Sequence, residues 1–139
     1  MTRLRIGAGA LAILVGSMLP LAPGEAHHSF AMFDQTQVLT VTGTVKEFQW
    51  VNPHVVLYVY GATTAEGAAE DWVVELTSPG NLTRTGWTRH SISVGDKIAV
   101  DISPLRDGTH GGAFRKAVLP ESGKELSASF KDQEKPGLQ

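Results

Sequence analysis

Five histidines and no cysteine among 139 residues define the metal chemistry open to this chain. Imidazole nitrogens suit Cu(II) and Zn(II). The lack of thiolates removes disulfides, cysteine nucleophiles and soft Cu(I) sites. His27 and His28 are adjacent, His54 follows Asn52-Pro53, and His110 lies in the glycine-rich run PLRDGTHGG. If residue 27 becomes a free amino terminus, its amine and ring can chelate one ion together. His28, His54 and His110 are then the candidate further ligands, with copper or zinc as the expected cofactor. The simpler readings are a solvated His-His tail and a His54 ring that ties down the Asn-Pro turn. Asp107 is a candidate for orienting a histidine, although Asp107-Gly108 also reads as an ordinary turn. His90, in TRHS, is expected on the surface.

A second group of residues is aromatic and basic. Trp50, Trp72 and Trp87 stand with Tyr58 and Tyr60, and Arg84, Arg89 and Arg106 lie near them in sequence. Small barrels use such rings to stack sugars or bases, but a buried tryptophan more often packs in the core with its N–H on a carbonyl. Core is the expectation for Trp72 and Trp87. Trp50, Asn52, Arg106 and Asp107 are the candidate residues for a ligand or a cell-envelope partner protein. Twelve Lys plus Arg against 14 Asp plus Glu, a formal net charge of -2, argue against nucleic acid. No nucleophile elbow, His-Glu-x-x-His or phosphate loop is present, and Glu75 and Asp101 lack carboxylate-pair spacing. The sequence reads as a binding module, not an enzyme.

The first 26 residues differ from the rest. Arg3 and Arg5 precede the uncharged run IGAGALAILVGSML, which Pro20 and Pro23 break, and small residues stand at Gly24 and Ala26. That is the order of a secretory signal, and cleavage is expected after Ala26. The run is too short and too rich in glycine and alanine for a comfortable membrane span. Losing Arg3, Arg5 and Glu25 takes the net charge from -2 to -3. The mature chain is expected in the periplasm or outside the cell, as one domain over 27–130 with a polar, disordered tail at 131–139.

The elements that must position these groups are strands. Residues 38–50 (VLTVTGTVKEFQW) alternate, with Gly43 predicting a bulge or sharp bend. HVVLYVY (54–60) and WVVEL (72–76) are further strands around a polar loop at 61–71. Ser78-Pro79 caps a helix of one or two turns that Gly86 ends. KIAVDIS (97–103) and AFRKAVL (113–119) are the fourth and fifth strands, and a turn at 121–123 leads into a short sixth. An all-β chain of five to six strands, with one short helix between the third and fourth, predicts a small OB-like barrel, with a sandwich as the alternative. In such a barrel the loops after the first and fourth strands, carrying His54 and His110, are expected to share one edge.

HHSFAMFD (27–34), FQWVNPHV (48–55), ELTSPGNLTRTGW (75–87) and VGDKIAV (94–100) together resemble the exported bacterial domain-of-unknown-function family 6152. The resemblance implies an exported single-domain protein of OB-like fold, and it implies no reaction.

Overall fold

The computed structural model describes residues 30–128, so the expected signal segment, His27, His28 and the tail at 131–139 lie outside the described residues. After a single 3-10 turn at Phe30–Met32 come the strands β1 (Leu39–Gln49), β2 (Val56–Ala62) and β3 (Glu70–Glu75). The helix α1 (Pro79–Arg84) leads to β4 (Lys97–Pro104), β5 (Gly111–Leu119) and β6 (Lys124–Ser127). Hydrogen bonding runs β3-β2-β1-β4-β5-β6, and a further pairing of β3 with β5 closes the first five strands into a barrel. This is the OB-like barrel that the strand order predicts, with β6 added outside the closure.

Period-two alternation builds the core. In β2 the buried positions are Leu57, Val59 and Gly61, while Val56, Tyr58 and Tyr60 face out. Val41 and Val45 of β1, Val74 of β3 and Phe114 of β5 complete the same interior. Each such side chain contributes about 1.5–3 kcal/mol by leaving water. The helix is only six residues long and is too short to be stable alone. Ser78 Oγ accepts the Asn81 N–H at 3.3 Å, Pro79 supplies a preset first turn, and fully buried Leu82 anchors the helix to the core.

β1 serves both halves of the barrel. Its residues Thr42, Gly43 and Thr44 pair with β2 on one side and β4 on the other. Here the sequence expectation needs correction, because the bulge falls between Val45 and Glu47 and not at Gly43. Gly43 answers a different need. It lies opposite Gly61, and a Cβ built on it would sit 2.2 Å from the Tyr60 carbonyl oxygen and 2.6 Å from the Gly61 Cα. The two backbones approach too closely for a side chain.

Several strand ends also differ from the sequence reading. The second strand starts at Val56, after Val55 has given its N–H to the Thr77 carbonyl at 3.0 Å. β4 runs on to Pro104, whose ring nitrogen has no proton to give but whose carbonyl accepts the Asp34 N–H at 2.8 Å. Gly43→Ala should destabilise the fold by about 1–3 kcal/mol, because backbone must move to admit one methyl. Chemical denaturation checks this, and an unchanged midpoint would refute the close-approach argument.

Candidate functional site

The β1–β2 loop, residues 50–55, is fixed by neighbours on three sides. His54 Nδ1 and Glu75 Oε1 form a short hydrogen bond, with both side chains about 30% exposed. Leu76 donates to the Val55 carbonyl at 2.8 Å, which ties the same loop end to the strand after β3. At its start Phe48 packs on Trp50, ring centroids 5.9 Å apart. The tip between these anchors, Val51, Asn52 and Pro53, is exposed, with a cis bond joining Asn52 to Pro53. Glu75 was not among the candidate site residues, although it was considered for a carboxylate pair. Only the β2–β3 register, which sets Glu75 against Val56, reveals its partner.

The β4–β5 loop, residues 105–110, is held differently. Asp107 Oδ1 accepts both the N–H and the hydroxyl of Thr109, at 3.0 and 2.7 Å, while Gly108 takes a positive φ of 81°. That is the Asp-Gly turn, in which the carboxylate serves Thr109. Hydrogen bonds from Thr109 hold the Asp107 carboxyl below the usual carboxylate range. The His110 ring stacks on Trp72 at 4.9 Å and 29°, and the Trp72 indole donates to the Gly61 carbonyl at 3.2 Å. Trp87 likewise donates to the Ser127 carbonyl at 3.0 Å, so both of these tryptophans are core residues.

The two histidine loops do not share an edge. His110 is level with Trp72, because the Val73 N–H donates to the His110 carbonyl at 3.1 Å and Val73 pairs with Gly111. His54 is tied to Glu75, three residues and about 10 Å further along the strand. Burial along β3 puts Trp72 on the inner face and Glu75 on the opposite one. A single ion therefore cannot take both rings in this arrangement. Among the described residues no group of three or more His, Cys, Asp or Glu side chains is placed to hold a metal. His90 lies in an exposed turn, where its N–H meets Thr88 Oγ1 at 3.2 Å.

Arg106 acts as a strut for the start of the described chain. Its Nε donates to the Ala31 carbonyl at 2.9 Å, its backbone N–H donates to the Met32 carbonyl at 2.9 Å, and Phe33 bridges to Leu105. Asp34, 3.9 Å from the guanidinium, accepts the Thr36 N–H and hydroxyl and the Gln37 amide. The Thr36 hydroxyl above all holds the Asp34 carboxyl below its ordinary value. A lowered carboxylate contributes stability above the ordinary carboxylate range and loses it as pH falls through the folded value. Asp34→Asn should therefore melt below the native chain at neutral pH. That gap should narrow on acidification from about pH 5 to pH 3, as the native carboxylate becomes protonated. Melting curves followed by circular dichroism test this, and a gap that widens in acid would contradict it.

Among the described residues no helix is long and apolar enough to cross a membrane. No curated protein and no solved structure matches the chain. Residues 18–115 match the family of unknown function DUF6152, a stretch that takes in both histidine loops, the helix and all of β1 to β4. With well over half of its length matched, the chain belongs to the family of unknown function DUF6152.

Proposed function

We propose that the chain is an exported, non-catalytic binding module that docks onto a cell-envelope protein through the tip of the β1–β2 loop. The carrying observation is the preformed apolar tip. Val51 is 49% exposed on a loop fixed by the His54–Glu75 bond and by the packing of Phe48 on Trp50. A loop already ordered loses little entropy on docking, and a tryptophan beside it is a frequent energetic anchor. The supports for export are the amino-terminal pattern of charge, apolar run and small residues at the expected cleavage point. Trp50 and Asn52 belong to this surface. Arg106 and Asp107 serve the other loop, as strut and turn.

A photo-cross-linking residue placed at Val51 in living cells should trap one defined envelope protein. The same residue at Val94, which is more exposed and lies elsewhere, should trap none. Amino-terminal sequencing of the adduct should begin at His27. No adduct, or the same adduct from Val94, would overturn the docking role, and retained residues 1–26 would overturn export.

One observation favours a second reading. The pairing of residues 31–34 with residues 104–106 sets the start of the described chain beside the loop that carries His110. In this reading Cu(II) or Zn(II) is held by the freed terminus with His110, and His54 keeps its place on Glu75. Calorimetric titration of Cu(II) should then show at least about tenfold weaker binding in His110→Ala. Affinity equal to that of a free peptide matching residues 27–33 would reduce the site to an ordinary amino terminus.

A further inference from the structure

The outer face of β1 carries a row of hydroxyls, Thr40, Thr42 and Thr44, which in sequence reads only as β propensity. The structure gives the row a setting. Thr42 lies between Ala62 of β2 and Ala99 of β4, so both of its cross-strand neighbours are small. Thr40, Thr42 and Ala62, with the β2–β3 loop residues Thr63, Thr64 and Ala65, border a half-open hollow of about 390 Å³, within the volume range of small-molecule sites. This lining has no ionisable side chain in a protein where 19% of residues are charged. Beside it Tyr60, 50% exposed, stands opposite Thr44.

The chemistry narrows the occupant. The charged groups near the hollow are turned to neighbours: Lys97 donates to Thr44 at 2.7 Å, Asp101 accepts Thr40 at 2.6 Å and pairs with Lys116 at 3.6 Å, and Lys46, whose ammonium lies 5.9 Å from the centre of the Tyr60 ring, donates to Asp71 at 2.8 Å. Among the described residues an anionic ligand therefore meets only cations that already have partners. From Thr42 to Thr44 an added β-strand finds no backbone edge, since β1 is paired there on both sides, and the part that pairs with β4 alone, Leu39 to Val41, is only three residues long. The Thr40 hydroxyl gives its proton to Asp101, whereas hydroxyls such as those of Thr42, Thr63 and Thr64 can both donate and accept, as those of a sugar do, and a tyrosine face takes the apolar side of a sugar ring. We infer that this hollow is a binding site for a neutral glycan, with Tyr60 as its platform and the threonine hydroxyls as its hydrogen-bonding wall. The site lies at the opposite end of the β1–β2 hairpin from the docking tip, so the two readings stand or fall separately.

Amide chemical shifts of the full chain, followed by NMR, provide the test, with cellohexaose, chitohexaose and maltohexaose as neutral probes and a heparin hexasaccharide as the acidic control. At least one neutral probe should move amides confined to residues 40–44 and 60–65, and the acidic one should not. Thr42→Trp, which fills the hollow from an exposed position, should weaken that binding by about tenfold or more. Thr64→Trp in the loop should do the same and decides the matter if the first variant loses its dispersed spectrum. Silence from all three neutral probes, a stronger response to heparin, or native affinity in a folded variant would overturn the assignment.

Discussion

Three residue pairs close this barrel. Val73, Val74 and Glu75 of β3 meet Gly111, Gly112 and Ala113 of β5 in parallel, and without them the sheet would remain an open, curled ribbon. The closure depends on the absence of side chains. A Cβ on Gly112 would lie 2.4 Å from the Ser103 carbonyl oxygen, so β3, β5 and the end of β4 can converge only around glycine. Much else follows from it. The closure seals Val74, Ile102 and Phe114 into one interior, sets His110 over Trp72, and fixes the loop on which Arg106 holds the chain before β1.

The closure also explains why two loops that look equivalent in sequence have different fates. The β1–β2 loop leaves the barrel where β3 ends, and the β4–β5 loop enters it where β3 begins its pairing with β5. Strand alternation then turns their anchoring partners, Glu75 and Trp72, to opposite faces. A histidine count cannot carry that information, because it depends on which strands are neighbours and in what register.

What was legible in the sequence was local. The alternation of β1 and β2, the Ser78-Pro79 cap and the Asp107-Gly108 turn each rest on a few consecutive residues, and each appears in place. The order of three strands, a short helix and further strands was enough to name the barrel. What was not legible depended on pairing across the sheet. Gly43 was a visible signal whose cause lay in Gly61, eighteen positions away and opposite it. Glu75 gained its meaning from His54, and Thr42 from Ala62 and Ala99, through registers that the connecting segments do not announce. The arginine expected on a binding edge was a strut for the same reason, since its partners lie some seventy residues earlier.

The contact between Trp87 and β6 has a consequence for how the protein behaves in company. β6 hangs outside the closed ring, where a short strand would ordinarily offer its backbone to any passing chain. The Trp87 indole occupies the Ser127 carbonyl, and Lys124, on the same strand, reaches back to Ser91. A ring from the segment after the helix thus ties down the last residue of the outer strand. The bond takes one backbone acceptor of the outer strand out of play, so another chain laid along β6 finds one fewer group on which to pair.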